Sequence, residues 1–463
     1  MLEMYNLRQE HHSLRQELSH LLYQNDAAFR VIARLKEERD NARAQLAHAH
    51  TPSQPTSNGN AADAGPSAPA EHPDSAGSKR PAESAGAEDS QPQQKKQRSA
   101  MPDAMRKSID DTVKTLTSQR KNSTISDTLL TAEEAQRYGL SSTYPIHKVN
   151  SGGILGLQLC PSNDSLLLTC GGDGFVTLFD ASESDIRTSV NAHGKKALSV
   201  RFVDSAGTTA ISGGGDKTVR VWRLSDGDDT PSLTKHLELS EHTGAVVSVA
   251  VHPNESLAAS ASGDGSLAFF DLSNGTCMQT VSSPLEEKSP YMCSSMHVDG
   301  GLFGAGNARG DFELWDVREM KCVTRLPGHG ASGVRSISFS ENAVTASACG
   351  DEGVLVWDLR KCVGREDNTG NQKHTLGFFQ NSKGVSGVSC IHFDHSSHYL
   401  AAAGSSLSVL MAKQSYTSAI DLPPLGSRKS AKSLAFGRDA KRLFVGASDH
   451  NLREFAIQET MDE

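Results

Sequence analysis

The sequence predicts an all-β seven-bladed β-propeller, preceded by an N-terminal α-helical coiled coil and a disordered linker. Two observations predict the propeller. A ten-residue phrase, a tight polar turn followed by a strand, recurs seven times after residue 170, and a large aromatic ring returns at the same place in most copies. A third observation, a heptad pattern of apolar residues near the N-terminus, predicts the coiled coil.

The repeated phrase defines the blades. Its copies start roughly 45 residues apart, which is the period of a WD40 repeat, and each repeat forms a four-stranded blade. All three tryptophans stand at the ninth position of a copy, and Phe179, Phe270 and Phe455 occupy that position elsewhere, so the ring is a packing requirement. The copies are residues 171–180, 214–223, 262–271, 307–316, 349–358, 404–413 and 447–456. The propeller is expected to span residues 141–460.

A set of polar residues recurs with the phrase. A Ser, a His and an Asp can form a nucleophilic triad, but a triad needs one exposed nucleophile beside an oxyanion pocket, whereas this set returns once per blade. We therefore interpret it as a structural brace and expect no catalytic residue. The resemblance to WD40 repeats implies that the turn Asp accepts hydrogen bonds and that the His bridges it to a strand hydroxyl. The sets are His193, Ser199, Asp216 and Trp222; His242, Ser248, Asp264 and Phe270; and His329, Ser336, Asp351 and Trp357.

A brace of this kind is favourable only when every member is satisfied, so Asp351→Ala is expected to cost about 3 kcal/mol of stability. The fourth, sixth and seventh copies depart from the pattern. Asp311 comes two places late, the sixth copy has no turn acid, and Asp449 has no His upstream at the expected distance. We expect mainly apolar packing to hold these blades, and we expect a strand near residues 146–149 to pair with the last blade and close the ring.

Residues 1–50 are predicted to form a coiled-coil oligomerisation helix. Apolar residues alternate at steps of three and four with no Pro or Gly between them, and Asn25 at an a position would fix the register. A solitary amphipathic helix packed on the propeller is the alternative, but the narrow stripe favours a coiled coil. The seam residues include Leu7, Leu14, Leu18, Leu21, Asn25, Ala28, Ile32 and Leu35.

Residues 51–100 form a Pro-, Ala- and Ser-rich segment without an aromatic residue, which predicts a disordered linker. Its basic residues Lys79, Arg80, Lys95, Lys96 and Arg98 resemble a bipartite nuclear import signal, and ordinary solvating charge is the alternative. Residues 101–140 are predicted to be a short helical segment, with Met105, Ile109, Val113 and Leu116 on one face.

Composition excludes several classes of function. The eight cysteines show no CxxC pair, so they indicate a reducing compartment and no metal site. No apolar run is long enough for a membrane span. The net charge of −9, most of it in the propeller region, argues against direct nucleic-acid binding there. His392, His395 and His398 with Asp394 imitate a metal cluster, but a strand and the following turn need not converge. We predict no metal and no cofactor.

Three stretches identify a family. The segments LRQELSHLLYQNDAAFRVIARLKEERD (14–40), YGLSSTYPIHKVNSGGILGLQLCPSND (138–164) and VWDLRK (356–361) resemble the pre-mRNA-processing factor 19 family. The resemblance implies a nuclear spliceosome subunit that forms a homotetramer through the coil and binds a Myb-like splicing factor there. It also implies a propeller that holds further partners or ubiquitylation substrates.

Members of this family are also ubiquitin ligases through a U-box that precedes the coil. Met1 falls where the family's chain is already entering the coil. We therefore expect this chain by itself to assemble and bind without recruiting a ubiquitin-conjugating enzyme. Two other classes fit the domain order: a Groucho-like WD-repeat transcriptional corepressor, and a monomeric substrate receptor of a cullin-type ligase.

Overall fold

The computed structural model confirms the seven-bladed propeller. It describes residues 101–122, 130–148, 152–226, 231–283, 288–351, 353–362, 375–379, 387–412, 419–426 and 429–458. Within these residues, strands β1 to β28 form seven antiparallel sheets of four strands each. The predicted coil, linker and import signal lie outside the described residues.

The first three blades follow one another along the chain. Blade 1 consists of β2 (Ile154–Leu159), β3 (Leu166–Gly171), β4 (Phe175–Asp180) and β5 (Asp185–Asn191). Blade 2 consists of β6 (Ala197–Phe202), β7 (Thr209–Gly214), β8 (Val219–Asp226) and β9 (Pro231–Leu239). Blade 3 consists of β10 (Val246–Val251), β11 (Leu257–Ser262), β12 (Ser266–Asp271) and β13 (Thr276–Ser282).

The remaining blades complete the ring. Blade 4 consists of β14 (Tyr291–Met296), β15 (Leu302–Asn307), β16 (Asp311–Asp316) and β17 (Lys321–Pro327). Blade 5 consists of β18 (Ser336–Phe339), β19 (Thr345–Gly350), β20 (Gly353–Asp358) and β21 (Thr375–Phe379). Blade 6 consists of β22 (Cys390–Phe393), β23 (Tyr399–Ala403), β24 (Leu407–Met411) and β25 (Ala419–Asp421). Blade 7 consists of β26 (Ala431–Phe436), β27 (Arg442–Ala447), β28 (Asn451–Ile457) and β1 (Tyr138–Pro145).

Short helices connect to these strands: α1 (Asp103–Asn122), α2 (Ala132–Ala135), a 3-10 turn (Gly330–Ser332) and α3 (Leu359–Cys362). None of the helices in the described part of the chain is long and apolar enough to cross a bilayer.

The backbone conformation of the turn explains why the phrase recurs. Its turn between the second and third strands of a blade needs a residue with positive φ, which glycine adopts without strain. Gly174 has φ 83°, and a Cβ there would lie 2.5 Å from the carbonyl oxygens of His193 and Lys195. Lys217 takes the equivalent place in blade 2 with φ 73°. The turn therefore keeps its shape even where glycine is missing.

The hydrophobic core lies between neighbouring blades. Trp222 of blade 2 is 3% exposed and belongs to one cluster with Leu168 and Leu178 of blade 1. Phe179 of blade 1 likewise shares a cluster with Phe444 of blade 7. Each sheet is thus covered on both faces by the adjacent sheets, as in face-to-face sheet packing. The recurring ring of the phrase fills this space in each blade that has one.

The ring closes between the two ends of the propeller. Strand β1 pairs antiparallel with β28, from Tyr138 opposite Ile457 to Pro145 opposite Asn451. The expected closing strand near residues 146–149 is therefore wrong by several residues. After Pro145 the N–H groups of Ile146 and His147 both approach the His450 carbonyl oxygen at 3.4 Å, and the His147 side chain bonds Asp173 of blade 1.

Helix α1 packs on blades 3 and 4. Ile109 is fully buried in a cluster with Phe303 and Met320, and Met105 and Val113 pack against the same cluster. Ion pairs flank this contact, with Arg318 Nη1 3.1 Å from Asp110 and Arg106 Nη1 3.4 Å from Glu319, and Arg120 also pairs with Asp299. The segment that follows the predicted linker is thereby anchored to the propeller.

Removing β1 should open the ring. A chain that begins at Ile146 leaves β28 as an unpaired edge, whereas a chain that begins at Leu130 keeps the fourth strand of blade 7. We expect the shorter chain to lose more than about 4 kcal/mol of unfolding free energy and to aggregate through the exposed edge. Thermal denaturation and light scattering of both chains measure this, and equal stability of the two would contradict the closure.

Candidate functional site

The propeller has two ends that differ in their coverage. The upper face is the end of the propeller that carries the repeated turns between the second and third strands of each blade, such as residues 214–217. We call lower face the end that carries the turns between first and second strands, such as 297–301. Arg120 of α1 reaches Asp299 and Lys441 lies 3.9 Å from Glu134 of α2, so the chain's own N-terminal segment packs on the lower face. The upper face holds the recurring polar sets.

Blade 2 contains a continuous polar chain. The Trp222 indole N–H donates to Ser212 Oγ (2.9 Å), and Ser212 Oγ lies 2.8 Å from Nε2 of His193. Nδ1 of His193 lies 2.9 Å from Asp216 Oδ1. Asp216 also accepts the Thr218 hydroxyl at 2.8 Å. The chain therefore joins strands β7 and β8 to the loop before β6.

The protonation states of His193 and Asp216 determine which group donates each hydrogen bond in this chain. Burial lowers the pKa of His193 more than Asp216 raises it, so the ring is neutral near pH 7. Burial opposes the charge of Asp216, but hydrogen bonds from Thr218 and His193 outweigh it and lower the pKa of this carboxyl. A neutral His193 donates through Nδ1 to Asp216 and accepts through Nε2 from Ser212. None of these groups is left to act on a substrate.

Blade 3 repeats the arrangement with two changes. Nε2 of His242 lies 2.6 Å from Ser260 Oγ, and its Nδ1 lies 2.9 Å from Ser266 Oγ and 3.7 Å from Asp264. Asp264 accepts from Ser266 and from the backbone N–H of Thr243 at 2.7 Å. Phe270 has no N–H to add, so the chain ends at Ser260.

Blade 1 holds a set that the sequence analysis missed. Nδ1 of His147 lies 3.1 Å from Asp173, and its Nε2 lies 3.1 Å from Thr169 Oγ1. Burial opposes ionisation of Asp173, but hydrogen bonds from His147 and the Lys148 backbone outweigh it and lower its pKa to about 2. The sequence signal for this set is a His upstream of the GGDG turn at residues 171–174. This residue, His147, lies before β2, in the stretch that the sequence predicts as the closing strand.

The predicted serines lie elsewhere. Ser199, Ser248 and Ser336 do not bond the histidines, and this part of the prediction is wrong. They lie on innermost strands and join neighbouring blades. Ser199 Oγ accepts the Val249 N–H at 3.1 Å, Ser248 Oγ donates to the Ser294 carbonyl at 3.2 Å, and Ser336 Oγ accepts the Ile391 N–H at 3.4 Å. The hydroxyl of the brace comes from the second strand instead, because side chains of that strand share the sheet face of the ring at the ninth position.

Blade 5 does not assemble the predicted brace. Asp351 pairs with Arg335 at 2.7 Å, away from His329. His329 is 1% exposed, neither ring nitrogen has a partner among the described residues, and its ring meets the edge of Trp357 at 6.4 Å between centroids. Burial lowers the pKa of His329 to about 4. The earlier expectation for Asp351→Ala is therefore wrong.

Blades 4 and 7 contain other polar groups in place of the brace, which the expectation of mainly apolar packing did not include. In blade 4 the fully buried Glu313 accepts the hydroxyls of Ser283 at 2.6 Å and Tyr291 at 2.7 Å, and the Trp315 indole at 3.3 Å. In blade 7 Asp449 accepts Arg453 Nη1 at 2.9 Å and lies 2.9 Å from the Lys429 ammonium. Hydrogen bonds from Arg453 and Lys429 outweigh burial and lower the pKa of Asp449.

The histidines of β22 and of the turn that follows it do not converge on one site. His392 faces the central channel from the strand, and His395 lies in the turn 3.9 Å from Glu341. Burial, with smaller contributions from His395 and Arg201, lowers the pKa of His392 to about 4. In the described ranges, no group of three His, Cys, Asp or Glu side chains is arranged to hold a metal ion.

The architecture and the turn chemistry define a WD-repeat β-propeller, and a WD40 family model matches residues 184–223, 233–271 and 320–358. A second family model, Prp19/Pso4-like, matches residues 1–49. The chain is 34% identical over 463 residues to "Pre-mRNA-processing factor 19 homolog 2" of Arabidopsis thaliana, covering 99% of this chain and 81% of that protein.

Two further relatives give the same result. "Pre-mRNA-processing factor 19" of Oryza sativa is 33% identical, over 98% of this chain and 81% of that protein. The human protein of the same name is 31% identical, over 99% of this chain and 83% of its own length. The chain belongs to the pre-mRNA-processing factor 19 family. The Groucho-like alternative finds no support among these relatives.

Blades 2 and 5 should respond differently to loss of the turn Asp. Asp216→Ala leaves the buried His193 and the Thr218 hydroxyl without an acceptor, and we expect a loss of about 2–3 kcal/mol. Asp351→Ala removes an ion pair whose side chains are 47% and 33% exposed, so we expect less than about 1 kcal/mol. Chemical denaturation of the two variants measures the difference. A larger loss for Asp351→Ala would contradict the open brace of blade 5.

His329 should make stability depend on pH. The unfolded chain has the ordinary pKa of 6.5, and the folded chain has about 4. Between these values the unfolded state binds a proton that the folded state does not, so stability falls as pH drops from 6.5 to 4. Between pH 7 and pH 5 the unfolding free energy of His329→Phe should therefore fall by about 2 kcal/mol less than that of the wild type. Parallel pH profiles of unfolding free energy would contradict the neutral buried ring.

Proposed function

We propose that this chain is an oligomeric scaffold subunit of a spliceosome-associated complex in pre-mRNA splicing. The observation that carries the proposal is the match to proteins named pre-mRNA-processing factor 19 over 99% of this chain, with the Prp19/Pso4-like model on residues 1–49 and WD40 matches in the propeller. The heptad seam of residues 1–50 would form a homotetramer and bind a Myb-like splicing factor. The propeller would hold further partners or ubiquitylation substrates.

The polar sets support a binding role over a catalytic one. His193 and His242 are buried at 2% and 6% exposure, and the pKa of each is lowered by burial, so each is a neutral member of a satisfied hydrogen-bond chain. A nucleophile needs an exposed position and a base that can accept its proton. We propose that these sets are struts that keep each blade rigid, and that the chain acts by presenting surfaces.

Nuclear localisation is part of the proposal. Pre-mRNA splicing takes place in the nucleus, and Lys79, Arg80, Lys95, Lys96 and Arg98 would supply the import signal. Replacing all five by Ala in a fluorescently tagged chain tests the assignment. Retention in the nucleus would leave these residues as solvating charge.

The coil carries the test of the function. Replacing Leu14, Leu18 and Leu21 by Glu places charges in the heptad seam, and we expect monomers and loss of co-purified splicing proteins. Light scattering after size exclusion measures the oligomer, and mass spectrometry of affinity-purified complexes identifies the partners. As a control, Ser13, Gln16 and Ser19, which lie on the helix face away from the seam, are replaced by Glu.

Three outcomes would contradict the proposal. Retained tetramers in the Glu variant would refute the heptad assignment. DNA-binding repressors in place of splicing proteins would identify a corepressor. A wild-type monomer bound to a cullin adaptor would identify a ligase receptor.

A further inference from the structure

The propeller axis contains a channel of about 760 Å³, lined by the innermost strand of every blade. Its side chains form two layers. The upper ring lies where these strands begin, at the upper face. The deep layer lies about three residues further along the strands, or about 10 Å deeper. The upper ring consists of Leu155, Leu198, Val247, Met292, Arg335, Ser389 and Lys432, and the deep layer includes Gln158, Arg201, Ser295 and His392.

The upper ring divides into two arcs. Blades 1 to 4 contribute only apolar side chains, and Met292 among them is 39% exposed. Blades 5 to 7 contribute Arg335, Ser389 and Lys432. One side of the channel mouth is therefore apolar and the other side is basic.

Among its described lining residues, the channel contains cations without a carboxylate partner, Lys432 at the mouth and Arg201 in the deep layer. The carboxylates among its lining residues, Asp164 and Glu341, belong to lower-face turns. Arg438 lies 3.4 Å from Asp164, and His395 lies 3.9 Å from Glu341. Arg335 pairs with Asp351, at 2.7 Å. Arg201 also borders a lower-face pocket that contains Asp204 and Glu255, but among the described residues neither Arg201 nor Lys432 forms an ion pair with a carboxylate.

Among the cations of the channel, Arg201 is the one whose burial is most unfavourable. Its Nη1 donates to the Val200 carbonyl at 2.9 Å, and burial lowers the pKa of this guanidinium. Nδ1 of His392, in the same layer, is buried without a partner among the described residues. A cation removed from water without a carboxylate is unfavourable, so an incoming carboxylate would be stabilised there by charge-assisted hydrogen bonds.

We propose that the channel binds, from the upper face, an extended peptide segment of a partner protein with two acidic side chains about three residues apart beside apolar ones. One carboxylate pairs with Lys432 at the mouth, the other pairs with Arg201 in the deep layer, and the apolar side chains contact the apolar arc. A free polyphosphate would match the charges but would leave the apolar arc unused. The assignment rests on the proposed role of the propeller in holding partners.

Fluorescence anisotropy of the full chain with a fluorescein-labelled Leu-Glu-Leu-Ser-Glu-Leu peptide tests the site. We expect saturable binding that weakens with added NaCl, and no binding when both Glu are replaced by Gln. Arg201→Gln and Lys432→Gln should each weaken binding at least about tenfold, since each removes a charge-assisted hydrogen bond. Met292→Ala should weaken binding less than either charge removal.

Lys321→Gln is the matched control, because Lys321 is 78% exposed on the outer strand of blade 4. It should leave affinity unchanged. Lys432 is exposed, so its variant reports on the charge even if Arg201→Gln lowers the melting temperature. A benzophenone-carrying peptide locates the contact independently, and its cross-links should map to innermost strands.

Other results would overturn the assignment. Unchanged affinity in both channel variants, cross-links to outer strands, or absence of peptide binding would each refute it. Binding of tripolyphosphate without binding of the peptide would replace the peptide by a free phosphate. If the peptide fails to bind but splicing proteins still co-purify with the full chain, the channel assignment fails alone and the proposed function stands.

Discussion

The pairing of β1 with β28 is the interaction on which the rest of the propeller depends. A strand from before the first blade completes the last, so the ring closes through backbone hydrogen bonds between the two ends of the domain. Closure covers both faces of every sheet and removes open sheet edges from the junction. It also creates the channel, because the seven innermost strands face one another only in a closed ring. Fold and binding surface therefore share one cause.

Several blades have a polar link between the upper turn and the strands, but the residues that form it differ from blade to blade. Blade 2 uses His193 and Asp216, blade 4 uses the buried Glu313, and blade 7 uses Asp449 with Arg453. All three bring an acceptor to buried donors, and a buried polar group without a partner is unfavourable. Blade 5 is the exception, since neither ring nitrogen of His329 has a partner among the described residues. The blades therefore share one backbone shape although different polar residues stabilise it.

The two faces of the propeller have different roles in this arrangement. Helix α1 and the segment around α2 pack on the lower face through Ile109 and Tyr138, and they connect the predicted linker to the ring. The upper face and the channel mouth carry the exposed Met292 and Lys432. A chain that multiplies its propellers through a coil would present several such mouths at once, which raises the effective concentration for a partner with several acidic segments.

The sequence by itself determined the seven blades, the ring at the ninth position and the turn Asp, because these features recur at a fixed period and a period is visible in one dimension. It also pointed to His193 and His242 as partners of their turn acids. It did not determine the second-strand serines Ser212 and Ser260, the separation of Asp351 from His329, or the charge imbalance around Arg201. Those features depend on the distances between side chains of different strands and blades, and only the tertiary structure decides these distances.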